Sequence, residues 1–498
     1  MSKLISLAKE TAIYGVSSIV GRFLNYLLVP LYTAQLVASE GGYGIVTNVY
    51  SYVALLLVFL TYGMETGYFY FANGKENNQK EVYGTSLVSL ATTSALFLFL
   101  VLIFLNPITD TLGYAGHSEF IVIMSFVVAM DAFMALPFSN LRFEKRPIRF
   151  AALKLFFIVC SITFNLFFLL GCPWLMKHAP STVNWFYDPN YKVGYIFIAN
   201  LMATSLQMLA FIPHLIHTRW IFSRQLLKRM LRYSFPILIL GIVGILNRTV
   251  DKMLFPYIYP DREEAMVQLG IYGACVKVAM IMAMLLQAFR YAYEPFVFGQ
   301  KKTGDEVAKK TYSNAMKYFV IFSLLAFLCV VCYIDLFRYL ISPDYWEGLR
   351  VIPIVMIAEM LVGVYFNLSF WYKLIGRTSW GAYFSLAGCV VIIVGNFLLV
   401  PVFGYIGSAW SSVAGYTVIT LLSYFVGQHY YPINYPLRSM GIYLLMTIVI
   451  FTCYQYIAID NLFLRVFVKT LLLVPFVVYL LKVDLPIGQI LKKLGIKK

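Results

Sequence analysis

The sequence predicts an all-α, polytopic membrane protein with about fourteen transmembrane helices. Of its 498 residues, 61% are apolar and only 12% are charged, and the mean hydropathy is +0.77. A soluble protein carries roughly a quarter charged residues. The apolar runs are about 20 residues or longer, enough for a helix to cross a hydrocarbon core about 30 Å thick. No run alternates apolar and polar residues as a membrane barrel strand does.

The apolar runs follow one another along the whole chain, and we number them in order as spans. The first is too long and too marked by Tyr and Arg for a cleavable signal, so we expect it to be span one. Spans one to seven are expected near 11–37, 43–71, 83–105, 119–140, 148–170, 193–217 and 233–258. Spans eight to fourteen are expected near 268–297, 311–334, 347–373, 380–402, 406–428, 439–458 and 464–482.

The lysine and arginine residues orient the chain, because positively charged loops stay on the cytoplasmic side during insertion. With both termini in the cytoplasm, most of the 39 Lys and Arg residues fall in cytoplasmic segments. The net charge of +16 is then spread over many short loops that face one leaflet. This pattern favours anionic membrane lipids as partners and argues against nucleic acid.

The seven cysteines and five histidines do not suggest a metal or redox site. Most of the cysteines lie inside spans, where a thiol acts as a small apolar side chain. Cys329 and Cys332 form a CxxC pair, but on an apolar helix without a second pair or a nearby histidine. We therefore expect no metal ion and no cofactor.

The second half of the chain repeats the first at a nearly constant offset. Tyr43 and Glu65 of span two match Tyr272 and Glu294 of span eight, each 229 residues later. About six spans separate the copies, so the two halves have the same topology and a symmetry axis along the membrane normal. The predicted divisions are an amino-terminal lobe (1–217), a cytoplasmic linker (218–232), a carboxy-terminal lobe (233–428), and two appended spans with a basic cytoplasmic tail (429–498).

A basic cluster is expected in the cavity where two such lobes would meet. A charge near the bilayer centre costs at least about 2.5–3.5 kcal/mol, so it usually faces water or a partner. Arg22 lies in mid-span one, and Arg248, Asp251 and Lys252 share one face of span seven. One acid cannot neutralise two bases, so an anionic headgroup would be attracted, with Lys277 of span eight adding to the site.

Simpler explanations of these charges stay open. Arg248 and Asp251 could form a structural ion pair between helices. Arg22 and Lys277 could instead extend toward the headgroups.

A second constellation is acidic. Asp131 of span four and Glu359 of span ten lie about 12 residues into their spans, at an offset of 228. Carboxylates at this depth can carry a proton or bind Na⁺, so we expect them, with Asp251, to couple transport to an ion. The alternative is a carboxylate that hydrogen-bonds a polar neighbour and fixes helix packing.

A cytoplasmic gate is expected where Glu65, Arg290 and Glu294 lie near the inner ends of spans two and eight. Arg290 precedes Glu294 by four residues on the same helical face. Ordinary surface ion pairing is the alternative.

Four segments carry a family resemblance: TAIYGVSSIVGRFLNYLLVPLYT (11–33), GGYGIVTNVYSY (41–52), EKRP (144–147) and NFLLVPVFGYIGSAWSSVAGY (396–416). They resemble polysaccharide-transport members of the multidrug/oligosaccharidyl-lipid/polysaccharide (MOP) exporter superfamily. The resemblance implies two six-helix lobes around a V-shaped cavity, often with two added carboxy-terminal helices. It also implies alternating access driven by an H⁺ or Na⁺ gradient or by the membrane potential.

The function implied by this resemblance is a flippase of the bacterial inner membrane. It would move an undecaprenyl-pyrophosphate-linked oligosaccharide, such as an O-antigen, capsule or exopolysaccharide repeat unit, from the inner to the outer leaflet. In such relatives basic residues on the first and seventh helices line the cavity, and Arg22 and Arg248 lie on the matching helices. A polysaccharide polymerase and glycosyltransferases would be candidate partners.

Three other functions compete with this one. A lipid II flippase and a cation or drug exporter would share the fold, although the exporter would favour acids over the basic excess seen here. A membrane polymerase or ligase would need a catalytic arrangement in a long outer loop, and the loop at 171–192 shows none. We therefore expect a transporter and not an enzyme.

Overall fold

The structure is a computed structural model that describes residues 20, 24, 26–74, 78–216, 218, 220–300, 305–457 and 459–485, with only the backbone of 291, 292, 294–300 and 305. Every regular element in these ranges is a helix. Thirteen helices in the described chain are long and apolar enough to cross a membrane, so this is a multi-pass membrane protein. The all-α prediction is confirmed, and the count is close to fourteen because most of span one lies outside the described residues.

The helices agree with the predicted spans. The described end of span one is Leu28–Gln35. Spans two to eight comprise Gly42–Thr61 with Met64–Ala72, Gln79–Ile103, Ser118–Phe143, Pro147–Leu166 with Cys172–His178, Lys192–Ile216, Arg224–Ile258 and Arg262–Gln300. Spans nine to fourteen comprise Asp305–Cys332, Ile352–Leu368 with Phe370–Leu374, Ser379–Phe403, Tyr405–Tyr430, Leu437–Gln455 and Leu462–Val483.

Polar side chains fix where several spans begin. The Asn78 side chain accepts a hydrogen bond from the Lys80 amide at the start of span three. Ser223 does the same for span seven, and Asn461 for span fourteen. Each cap satisfies an amide that has no partner inside its helix, so these ends are set locally by sequence.

Span two is broken near its middle. Tyr62 and Gly63 have φ angles of 33° and 70°, so both adopt a left-handed conformation between two helices. Glycine adopts this conformation without a steric penalty, whereas tyrosine does not. The Tyr62 hydroxyl lies 2.6 Å from the Ser89 hydroxyl, a contact that holds the side chain in place.

Backbone contacts divide the chain into two compact units. The first contains the described residues up to Gly273 together with Ile392–Ser408. The second contains Ala274–Val391 and the described residues from Ala409 onward. The predicted lobes at 1–217 and 233–428 derive from the sequence repeat, and that division stays a prediction.

Within the first unit, spans two and eight touch backbone to backbone. A Cβ atom on Gly44 would lie 1.9 Å from the Met266 carbonyl oxygen, and one on Gly270 would lie 3.0 Å from the Gly44 nitrogen. Further along both helices, a Cβ atom on Gly273 would lie against the Thr47 side chain. The contacts advance in the same direction along both chains, so these two spans run parallel here, as the repeat requires of this pair.

Within the second unit, the two appended spans are held against span nine by two ion pairs, one within the helix at Lys317 and one just after its end at Asp335. Asp484, after span fourteen, pairs with Lys317 and accepts a hydrogen bond from the Tyr443 hydroxyl at 2.6 Å. Asp335, just after span nine, pairs with Lys469 of span fourteen at 2.5 Å. We call these two contacts the latches.

Candidate functional site

Of the three charged residues predicted on one face of span seven, Asp251 and Lys252 form an ion pair and Arg248 does not take part in it. Both Asp251 oxygens accept hydrogen bonds from Lys252 Nζ, at 2.9 and 3.0 Å. The Tyr272 hydroxyl donates to the same carboxylate at 3.0 Å, and Asp251 is only 3% exposed. The acid therefore pairs with Lys252, and not with Arg248 as the structural alternative supposed.

Arg248 lies on an open face of span seven. Four exposed residues follow one another at four-residue intervals along this face: Pro236, Leu240, Gly244 and Arg248. A Cβ atom added to Gly244 would find nothing within 4 Å. Among the described side chains, no carboxylate lies within 4.0 Å of the Arg248 guanidinium. This cation therefore lies on an exposed face, and no described carboxylate neutralises it.

The depth of Arg248 in the membrane indicates whether its exposed face meets lipid or water. It lies ten residues before Ile258, the end of the helix, which corresponds to about 15 Å along the axis. That distance is about half of a 30 Å hydrocarbon core. An arginine facing lipid at that depth is strongly unfavourable, so the open face is expected to be wet.

A buried polar network holds this part of span seven in place. The Asn48 side-chain amide donates to the Lys252 carbonyl at 2.9 Å, and the Tyr114 hydroxyl donates to Asn48 Oδ1 at 2.8 Å. Asn48 is 2% exposed, so it has no access to water as an alternative partner. We did not identify Asn48 from the sequence, although a lone asparagine in an apolar run was a visible signal.

The first predicted coupling acid, Asp131, has a basic neighbour that sequence reasoning missed. Lys154 of span five interacts electrostatically with Asp131, and its ammonium lies 4.0 Å from the centre of the Phe138 ring. Tyr50 also faces Asp131 and accepts a hydrogen bond from Asn200 at 2.8 Å. A single lysine within the apolar segment RFAALKLFF was the available signal.

The second predicted coupling acid, Glu359, belongs to the second unit and is half-buried. Its Oε2 atom is buried and has no hydrogen-bond partner among the described residues. A carboxylate retained only to fix helix packing would be expected to bond a polar neighbour. The orphaned oxygen is better suited to carry a proton or to meet a cation.

The predicted gate residues have separate surroundings. Glu65 pairs with Arg142 of span four at 2.8 Å and accepts a hydrogen bond from Ser139 at 2.9 Å. Arg290 lies 4.5 Å from the centre of the Phe366 ring. The Glu294 side chain lies outside the described side chains, so the expected gate stays a prediction.

A cavity of about 270 Å³ opens beside the break in span two, lined by Thr61, Gly63, Glu65, Thr66, Phe69 and Arg142.

Two further predicted residues complete the set. Arg22 lies outside the described residues. Lys277 is half-buried in span eight. No group of three or more His, Cys, Asp or Glu side chains in the described part of the chain could hold a metal ion.

Comparison with known proteins identifies the class of fold. No family model matches the chain. An uncharacterized membrane protein of Methanocaldococcus jannaschii is 22% identical over 447 residues, covering 82% of this chain and 83% of that protein.

Two solved structures extend the comparison. The lipid II flippase MurJ, in an inward closed conformation, matches 95% of this chain and 99% of its own with a TM-score of 0.70 and 14% identity. An inward-facing multidrug resistance MATE family transporter of the MOP superfamily matches 82% of this chain and 94% of its own, with a TM-score of 0.63 and 14% identity. The chain has the fold of these MOP superfamily transporters, as the resemblance predicted. The polysaccharide branch stays a prediction.

Proposed function

We propose that the protein is a flippase that moves an undecaprenyl-pyrophosphate-linked oligosaccharide from the inner to the outer leaflet of a bacterial inner membrane. The observation that carries this proposal is Arg248, an exposed guanidinium at about mid-membrane depth with no acidic partner among the described side chains. Pyrophosphate is a doubly charged group whose oxygens match the paired donors of arginine. A cationic cargo would be repelled from such a site.

The extent of the structural similarity supports a lipid-linked cargo. The lipid II flippase aligns with 95% of this chain and the multidrug transporter with 82%. Both comparisons favour a transporter over an enzyme. We place both termini in the cytoplasm, following the distribution of lysine and arginine.

We propose that Asp131 and Glu359 couple this movement to an H⁺ or Na⁺ gradient. Asp131 has Lys154 beside it, and Glu359 has one oxygen without a hydrogen bond. Protonation or cation binding would change the net charge at each position. The gate role of Glu65, Arg290 and Glu294 and the anion role of Arg22, Lys252 and Lys277 remain parts of the same proposal.

The test replaces the Arg248 charge in reconstituted vesicles. Arg248→Gln and Arg248→Lys are compared with Arg438→Gln, a matched variant of an exposed arginine at the start of span thirteen. A labelled undecaprenyl-pyrophosphate oligosaccharide reports movement to the opposite leaflet. Losing a charge-assisted hydrogen bond of about 1.5–3 kcal/mol predicts roughly a 10- to 100-fold slower rate for Arg248→Gln. Wild-type rates in Arg248→Gln would refute the anion site.

Lipid II is the second candidate cargo, because the lipid II flippase matches this chain over nearly its whole length. Both cargoes present a pyrophosphate, so Arg248 does not separate them. Parallel assays with labelled lipid II and with the oligosaccharide decide between them. Transport of a cationic drug with neither lipid would instead assign the exporter function.

A further inference from the structure

A second cavity, of about 320 Å³, lies away from Arg248 at the ends of three spans of the first unit. It is lined by Gln79, Lys80, Tyr83, Asn140, Glu144, His214 and Thr218. The volume lies within the roughly 300–1,000 Å³ typical of ligand pockets. The lining residues come from the start of span three, the end of span four and the end of span six. The cavity is therefore at headgroup level, on the predicted cytoplasmic side.

The floor of this cavity is a fixed polar network. Asn140 is 3% exposed and accepts a hydrogen bond from the Tyr68 hydroxyl at 2.6 Å. Its amide nitrogen donates to Glu144 Oε1 at 3.0 Å and lies 3.3 Å from His214 Nε2. The Glu144 carboxylate is thus held in one orientation before any ligand arrives, which lowers the entropy cost of binding.

Tyr83 supplies an unused polar group. It is 6% exposed, and its hydroxyl is buried without a hydrogen-bond partner among the described residues. The Thr218 hydroxyl interacts with Tyr83, but no hydrogen bond of standard geometry joins the two, and Thr218 donates to the His214 carbonyl at 2.9 Å. A buried hydroxyl without a partner costs about 1–3 kcal/mol, and a ligand oxygen in the cavity would satisfy it.

The charges on the wall define the ligand. Lys80 is the one ammonium and Glu144 the one carboxylate among the residues that line the cavity. Arg146, beside the cavity, pairs with Glu144 Oε2 at 3.0 Å without forming a hydrogen bond, so this oxygen can still accept one. A simple anion would face Glu144, and a simple cation would face Lys80. A ligand that carries both charges matches both groups.

We propose that this cavity binds a phosphate group that carries a primary ammonium, the chemistry of phosphoethanolamine. Lys80 and the Tyr83 hydroxyl hold the phosphate oxygens, and Glu144 accepts hydrogen bonds from the ammonium. The group comes either from a phosphatidylethanolamine headgroup of the adjacent leaflet or from soluble phosphoethanolamine. This site is independent of the transported cargo and of Arg248.

The test measures binding to the full-length protein in detergent by native mass spectrometry. The probes are lysophosphatidylethanolamine, lysophosphatidylcholine and lysophosphatidylglycerol with the same acyl chain. Lysophosphatidylethanolamine is expected to bind most tightly, because a quaternary ammonium donates no hydrogen bond and a glycerol headgroup carries no positive charge. Equal binding of the three lipids overturns the proposal.

Variants locate the binding. Tyr83→Phe removes only the hydroxyl and is expected to weaken lysophosphatidylethanolamine binding about tenfold. Lys80→Gln, a change at an exposed position, is expected to weaken it by a similar factor. The matched control is Tyr114→Phe, whose hydroxyl is equally buried but bonds Asn48 elsewhere. Wild-type binding in both cavity variants overturns the proposal.

Competition with free O-phosphoethanolamine identifies the source of the group. Displacement of the lipid at comparable concentrations supports the site with a soluble ligand. Retention of the lipid, together with weaker binding in Tyr83→Phe, supports the site with a lipid ligand. No step of this experiment measures transport, so its failure and the failure of the flippase proposal are distinguishable.

Discussion

Replacing Asp251 by asparagine tests how the charges of span seven are balanced. The carboxylate is 3% exposed and holds Lys252 through two hydrogen bonds. Removing one partner of a buried ion pair costs about 3–5 kcal/mol. Lys252 keeps an acceptor in the Arg248 carbonyl at 3.2 Å, and asparagine still accepts from Tyr272. We therefore expect the lower end, a loss of about 3 kcal/mol in unfolding free energy.

The assay is unfolding by SDS titration of the purified protein in mixed micelles. The double variant Asp251→Asn with Lys252→Met removes both charges and is expected to lie within about 1 kcal/mol of wild type, because no unpaired charge remains. The exposed pair of Glu347 and Arg350 is the control, and Glu347→Gln is expected to cost less than about 1 kcal/mol. A double variant as unstable as the single one would refute the pairing.

Three further predictions concern packing and backbone. Gly44→Val places a side chain against a backbone carbonyl of span eight, so we expect the unfolding free energy in SDS titration to fall by about 1–3 kcal/mol or more. The control is Gly441→Val, in a helix with open space around it, which is expected to cost less than about 1 kcal/mol. Asp335→Asn leaves the buried Lys469 ammonium and the partly buried Arg465 guanidinium without their shared carboxylate, so we expect a loss of about 3 kcal/mol. Adding Lys469→Met in the same chain is expected to restore only part of this loss, because Arg465 stays without its carboxylate. Lys145→Gly relieves an exposed residue with φ of 55°, so we expect a higher melting temperature and a gain of about 1 kcal/mol; a lower one would contradict the strain.

The spans were predictable because a helix in lipid must pair its own backbone hydrogen-bonding groups and present apolar side chains. Together these requirements produce long apolar runs that hydropathy detects. The break in span two at Tyr62 and Gly63 was not predictable from the sequence. Those residues sit in a continuous apolar run, and a glycine there is equally compatible with an unbroken helix. The conformation depends on how Gly63 packs against the Ser234 carbonyl, which lies 3.0 Å from the position of an added Cβ.

The candidate site was predictable in composition but not in pairing. Spacing placed Arg248, Asp251 and Lys252 on one helical face. Spacing alone does not determine which of the two bases forms the ion pair with Asp251. The structure shows that Lys252, the adjacent residue, pairs with Asp251. Lys154 and the Tyr83 hydroxyl escaped sequence reasoning, since their roles depend on which spans lie beside them.

The latches bear on the order in which the chain is made. Lys317 lies in span nine and Asp335 just after it, but their partners Asp484 and Lys469 lie 167 and 134 residues further along. At a synthesis rate of about 5–20 residues per second, span nine exists for roughly 7 to 33 s before these charges can be paired. During that interval it has to be sheltered by the insertion machinery or by water at the membrane surface. The charges of span nine are therefore paired only after span fourteen has been made.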